Sequence, residues 1–246
     1  MPGDMSGRRV LVTGASSGLG AHMAAALARA GARVVAAARR TEALARLAQE
    51  TGGAATPVAM DVTDPASVAA GVEFAVEALG GLDGLVNNAG VAWGGPALDM
   101  PDAAFAQVMA VNVHGAFRVA QAAARAMAAG EGGAIVNMAS IQGFGTGRGV
   151  AAYAASKAAV IHLTRSLAVE WARHGVRVNA LAPGYFPTEM TEGHLGEAML
   201  RKVPLRRFGR PEDLDGPLFL LLSDASAYMT GAIIPVDGGH LVTPLT

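Results

Sequence analysis

Short apolar runs alternate with stretches long enough to form helices along nearly the whole chain, and this alternation limits the accessible folds more than any other feature. Arg9-Val10-Leu11-Val12-Thr13 is followed by a helical stretch from Leu19 to Ala30, which Gly31 ends. Val34–Ala38 precedes a helix over Glu42–Glu50, and Pro57–Met60 precedes one that Pro65 opens and that runs to Leu79. Leu82–Val86 supplies a fourth strand. The second half predicts helices over Asp102–Val111 and Gly115–Ala129, a strand at Ala134–Met138 and a helix over Tyr153–His174. A strand at Val176–Leu181, a helix over Asp213–Leu221 and a last strand at Ala232–Val236 follow. Strands that are apolar on both faces belong in a parallel sheet covered on both sides by helices. Right-handed crossovers then favour an α/β, Rossmann-type, doubly wound architecture. The 246 residues are 52% hydrophobic, enough to fill one core, and no Pro/Gly/Ser-rich tract or charge run divides them. Residues 1–246 are therefore expected to form one domain.

A net charge of −1 gives no global attraction to nucleic acid or to an anionic membrane, and neither is expected as a partner. The absence of cysteine excludes disulfides, a thiol nucleophile and thiolate metal ligands. Met1–Arg9 carries Asp4 and lacks the apolar centre of a signal peptide, and no run of roughly eighteen apolar residues reads as a membrane span. A cytoplasmic location is expected. The six histidines are dispersed without a His-Glu-x-x-His pattern, so no catalytic metal is expected.

Thr13-Gly14-Ala15-Ser16-Ser17-Gly18-Leu19-Gly20 lies where the first strand turns into the first helix. Gly14 and Gly18 permit a tight turn and close approach of backbone to ligand, and Gly20 removes a side chain where helix meets strand. Ser16, Ser17, Gly18 and Leu19 then surround the free N–H groups of the helix start, which suit a dinucleotide pyrophosphate. No Lys-Ser or Lys-Thr follows the last glycine, which argues against a P-loop. At the end of strand two, where a carboxylate would bind an adenosine ribose and repel a 2′-phosphate, the chain has Ala38 followed by Arg39 and Arg40. Guanidinium groups suit a phosphate, so NADP(H) is expected over NAD(H), with Arg39 as its contact. Asp61 can accept from an adenine amino group or cap the following helix. Asp64, just before Pro65, is the better cap.

Tyr153 and Lys157 are four residues apart and so share one helix face. An ammonium beside a phenol favours phenolate and is expected to lower the tyrosine pKa toward the range useful for acid–base work. Ser140 follows the fifth strand, whose C-terminal end meets the ligand crevice in this architecture, where a hydroxyl can orient a substrate oxygen. Asn112, within Val111-Asn112-Val113, either holds a carbonyl and a water beside Lys157 as a proton path or merely ties two helices together.

From Arg9 to about Leu241 the chain resembles a short-chain dehydrogenase/reductase. The resemblance rests on the glycine turn, Asp61-Val62, Asn87-Asn88-Ala89-Gly90, Asn112, Ser140, Tyr153-Ala154-Ala155-Ser156-Lys157 and Pro183-Gly184. It implies an NAD(P)-binding catalytic domain that moves hydride between a nicotinamide and a carbonyl/secondary alcohol pair. Tyr153 would be the acid/base, Lys157 would also bind the nicotinamide ribose, Ser140 would steady the carbonyl and Asn112 would support the relay. The resemblance further implies that Asn88, Ala89 and Gly90 pass beside the adenosine ribose. Pro183 and Gly184 would shape the nicotinamide side, and Thr188 would lie near the carboxamide. It also implies a homotetramer, or a dimer, built through the helices Gly115–Ala129 and Tyr153–His174 and through the C-terminal region.

Trp93, Ile141, Gln142, Phe144, Tyr185 and Phe186 follow strand ends or the Pro183-Gly184 turn and are expected to line a substrate pocket, a composition that slightly favours an apolar or aromatic alcohol over a free sugar. Residues 188–210 are expected to form a lid. Its Arg201, Lys202, Arg206 and Arg207 keep open a 3-oxoacyl thioester reductase served by an acyl carrier protein. An NAD-dependent sugar or alcohol dehydrogenase is the other enzymatic alternative. A noncatalytic dinucleotide sensor is disfavoured because Tyr153 and Lys157 are both present at working spacing.

Overall fold

In the computed structural model, which describes residues 5–193 and 195–242, seven strands form one parallel sheet in the order β3-β2-β1-β4-β5-β6-β7. The strands are β1 (Arg9–Thr13), β2 (Arg33–Ala38), β3 (Ala55–Ala59), β4 (Gly84–Asn87), β5 (Gly133–Met138), β6 (Val176–Pro183) and β7 (Ile233–Val236). The helices are α1 (Gly18–Arg29), α2 (Thr41–Glu50), α3 (Pro65–Leu79), α4 (Asp102–Met109), α5 (Ala116–Ala128), α6 (Ala151–Trp171), α7 (Glu197–Leu200) and α8 (Asp215–Leu222). The expected doubly wound parallel architecture is present. Part of the Met1–Arg9 reading, and position 194 of the 188–210 segment, lie outside the described residues. Among the described residues no helix is long and apolar enough to cross a membrane.

The period-two geometry of a strand splits the core between the two faces of the sheet. Val10 and Val12 of β1 pack with Met23 and Leu27 of α1 and Leu218 and Leu221 of α8. Leu11, between them, faces the other way, into Val68 and Val72 of α3 and Val119 and Met127 of α5. Burying one such leucine contributes roughly 2 kcal/mol. Helix α3 shows how local residues set a boundary: the Asp64 side chain accepts from Ala66 N at 3.0 Å, Pro65 occupies the first turn, and Gly80 closes the end in the left-handed region.

The chain reverses its direction of winding between β1 and β4, and their C-terminal ends open the crevice at this switch point. Thr13 ties the two ends together, its Oγ1 accepting from Asn88 N at 3.0 Å and Ala89 N at 3.1 Å. The two helices expected over Asp102–Val111 and Gly115–Ala129 are instead continuous through a π-helical turn, Ala110–Gly115, which contains Asn112. Pairing in the sheet also moves two strands relative to the sequence pattern. β3 begins at Ala55, opposite Val34, and β4 extends to Asn87, opposite Asn137.

Candidate active site

The glycine turn at the end of β1 is built for close approach. A Cβ placed on Gly20 would lie 2.2 Å from Gly14 O, and one on Gly14 would lie 2.8 Å from Ala89 Cα. Side chains are therefore excluded where the start of α1, the turn and the end of β4 converge. Asn88 fixes the turn from the far side, its Nδ2 donating to Thr13 O at 3.1 Å and Gly14 O at 3.3 Å. This cradle opens into a cleft of about 600 Å³, a volume within the usual range for small-molecule and cofactor sites.

Gly14, Ser16, Ser17, Gly18, Leu19, Arg39, Asp61, Val62, Asn88, Ala89, Gly90, Ser140, Tyr153, Lys157, Pro183, Gly184 and Thr188 all line that cleft. Asp61 Oδ1 accepts from Thr63 N at 2.9 Å and Thr63 Oγ1 at 2.7 Å, bonds that hold its carboxyl below the usual carboxylate range. Asp64 takes the helix cap, which leaves Asp61 in the cleft wall.

At the other end of the cleft, α6 presents Tyr153 and Lys157 toward Ser140, which is 7% exposed at the end of β5. Lys157 Nζ donates to Met138 O at 2.7 Å and sits 5.6 Å from the centre of the Tyr153 ring. Burial disfavours the ammonium and pushes the Lys157 pKa down to about 8. The tyrosine departs from the sequence expectation. Burial pushes its phenol up, a hydrogen bond with Ser140 pulls it partly back, and the adjacent ammonium does not reverse the direction. Desolvation outweighs the Ser140 hydrogen bond at this position.

Asn112 lies behind the cleft wall and is 1% exposed. Its Oδ1 accepts from Val91 N at 2.8 Å, and its Nδ2 donates to Val91 O at 2.9 Å and Ser156 Oγ at 3.0 Å. Ser156 Oγ in turn donates to Tyr153 O at 2.7 Å. Asn112 thus fastens the segment after Gly90 to the helix that carries Tyr153 and Lys157, and these bonds account for both ends of its amide.

The residues expected to make a substrate wall do not converge. Of the six candidates only Phe186 lines the main cleft, where it is 3% exposed and belongs to the hydrophobic core. Tyr185 faces a separate cavity of about 110 Å³ and meets His240 edge-on, with ring centres 5.1 Å apart. Phe144 is half exposed, Gln142 N donates to Ser140 Oγ at 3.2 Å, and Trp93 packs against Gly95. Sequence reasoning missed the role of Arg40. Its Nε donates to Ser16 Oγ at 3.2 Å, its Nη2 to Ser17 Oγ, and it pairs with Glu189. Adjacent arginines carry no local signal to say which one folds back over the turn. Among the described residues no three His, Asp or Glu side chains converge in a way that could hold a metal ion.

Comparison with known proteins gives the same outline. The family model described as enoyl-(acyl carrier protein) reductase matches residues 14–240. Galactitol 2-dehydrogenase (L-tagatose-forming) of Cereibacter sphaeroides is 46% identical over 246 residues, covering 97% of this chain and 96% of the relative. A short-chain type dehydrogenase/reductase from Mycobacterium marinum superposes with a TM-score of 0.94 at 44% identity, covering 98% of each chain. A gluconate 5-dehydrogenase from Burkholderia cenocepacia J2315, solved with NADP and tartrate, gives 0.93 at 37% identity, covering 99% of this chain and 98% of that one.

Proposed function

Since the chain belongs to the short-chain dehydrogenase/reductase family and is an NAD(P)-dependent oxidoreductase of alcohol and carbonyl groups, we propose that Tyr153 is its general acid and base, that NADP(H) is its preferred cofactor and that its substrate is a polyhydroxylated secondary alcohol or the matching ketone. The observation that carries this reading is the convergence of Tyr153, Lys157 and Ser140 in one cleft with the glycine turn.

The start of α1 and the turn would hold the pyrophosphate, Asp61 the adenine, and Lys157, Pro183, Gly184 and Thr188 the nicotinamide half. When bound, the nicotinamide supplies or accepts the hydride. In reduction Tyr153 gives its phenolic proton to the substrate oxygen as negative charge develops there. Ser140 hydrogen-bonds that oxygen at the same moment, when support lowers the barrier most. A phenol kept protonated by burial suits this direction. Lys157, with its pKa near 8, restores the proton near neutral pH, and in oxidation the same groups run in reverse. Asn112 acts as a positioning residue through Val91 and Ser156.

The NADP preference is supported by Ala38, which places no carboxylate at the end of β2, and by Arg39 and Arg40 in the cleft wall. The substrate class is supported by the galactitol and gluconate dehydrogenases among the relatives and by the absence of a converged aromatic wall. The carrier-protein alternative, to which the family description points, is weakened by ion pairs that an acidic partner would have to displace: Arg201 with Glu197 and Arg207 with Asp213. We further propose that 188–210 works as a lid of one catalytic domain, and that the subunit self-associates through α5 and α6, where Val169 is 82% exposed. Assay of polyols, aldonates, aryl alcohols and a 3-oxoacyl thioester with both cofactors tests the reading. It expects the highest kcat/KM for a polyol or aldonate with NADP+. Turnover confined to the thioester would overturn the substrate assignment.

A further inference from the structure

One side chain fastens the segment after β6 to the phosphate turn. Besides its bonds to Ser16 and Ser17, Arg40 places Nη1 3.3 Å and Nη2 3.2 Å from Glu189 Oε2, across 149 positions of sequence. Glu189 opens a short turn, Glu189–Thr191, held by Thr188 N donating to Thr191 Oγ1 at 2.8 Å. The preceding Thr188 lies close over the glycines: a Cβ on Gly18 would be 3.6 Å from its Cβ. Ser16, Ser17, Arg40, Glu189 and Thr191 all line the cleft.

We propose that Arg40 and Glu189 form a latch that a dinucleotide phosphate releases, so that Glu189 opposes cofactor binding by holding the guanidinium that the phosphate would take. The inference rests on the dinucleotide site proposed above. Ser16 and Ser17 offer Arg40 only neutral acceptors, and Glu189 is the anion it holds. A phosphate at the turn is a second anion for the same guanidinium, with more charge and a geometry that the planar fork matches. Arg40 then exchanges carboxylate for phosphate, and the Glu189 side chain, left beside a like charge, swings away from the glycine turn while Thr188 stays over the cofactor. The pair is exposed, with side-chain exposures of 55% and 64%, so its effect on binding is a few-fold and sensitive to salt.

The test measures dissociation constants for NADP+ and NAD+ by calorimetry on the whole protein and on its single and double variants at positions 40 and 189. Glu189→Gln is expected to tighten NADP+ roughly two- to fivefold at low salt, with the gain shrinking in concentrated salt. In an Arg40→Gln background the same change should alter NADP+ binding by less than about twofold, because the carboxylate opposes binding through the guanidinium it holds. Arg40→Gln alone should weaken NADP+ binding, because it removes the phosphate partner along with the latch. A larger gain for NADP+ than for NAD+ assigns the release to the 2′-phosphate, and equal gains assign it to the pyrophosphate. A Glu189→Gln variant with unchanged or weaker cofactor binding, or one whose gain persists without Arg40, overturns the latch. If wild type binds neither dinucleotide, the cofactor site itself is wrong and the latch falls with it.

Discussion

Replacing Lys157 with methionine should stabilise the protein while removing its activity, and the size of the effect follows from burial. Lys157 is 5% exposed, and its pKa falls from 10.5 to about 8. At about 1.4 kcal/mol per pH unit, keeping the ammonium in the fold near pH 7 costs about 3 kcal/mol relative to an unfolded lysine. Methionine preserves most of the aliphatic stem but leaves Met138 O without its 2.7 Å donor, a loss of about 1 kcal/mol. The net gain is therefore about 1–2 kcal/mol, or ~3–6 °C in melting temperature for a chain of this size. The sign has a pH signature. Between pH 8 and 10.5 the unfolded lysine still holds a proton that the folded one has released, so wild-type stability rises with pH across that window, relative to the variant. Urea denaturation of both proteins without cofactor, at pH 7 and at several points up to pH 10, measures the difference. A variant less stable than wild type at pH 7, or a difference that does not narrow as pH rises, would refute the reasoning.

Other outcomes follow from single contacts. Gly20→Ala should abolish dinucleotide binding in calorimetry and lower stability by several kcal/mol, because its methyl would sit 2.2 Å from Gly14 O on a backbone that cannot yield. Asn137→Ala should cost about 2–3 kcal/mol in urea denaturation. It breaks the buried chain in which Asn87 Nδ2 donates to Asn137 Oδ1 at 3.1 Å and Asn137 Nδ2 donates to Thr164 Oγ1 at 2.9 Å. Arg39→Ala should weaken NADP+ binding far more than NAD+ binding; equal losses would reject its assignment to the 2′-phosphate.

Much of this arrangement is legible in the residues because its signals are local. The apolar runs mark the strands, Asp64-Pro65 and Gly80 bound α3, and the four-residue spacing of Tyr153 and Lys157 on α6 brings phenol and ammonium to one face. The features that were not legible depend on distant partners. The π-turn at Ala110–Gly115 is held where Asn112 reaches Val91 and Ser156, 21 and 44 positions away, so the pattern of α4 and α5 alone reads as two separate helices. The choice between Arg39 and Arg40 is made by Glu189. The aromatic residues after the strand ends look like a pocket wall in sequence, but Phe186 is drawn into the core beside Gly209 and Tyr185 turns toward His240. The direction of the Tyr153 shift is hidden from the sequence for a related reason: spacing reveals the neighbouring charge, whereas desolvation depends on the whole surrounding fold.

Single-turnover hydride transfer by Tyr153→Phe, with cofactor affinity measured on the same sample, tests the proton-transfer assignment most directly. The variant should bind NADP+ within a few-fold of wild type, since only one oxygen is lost, and its chemical step should slow by roughly 10²–10⁴. A chemical step within a few-fold of wild type, with binding intact, would mean that another group carries the proton.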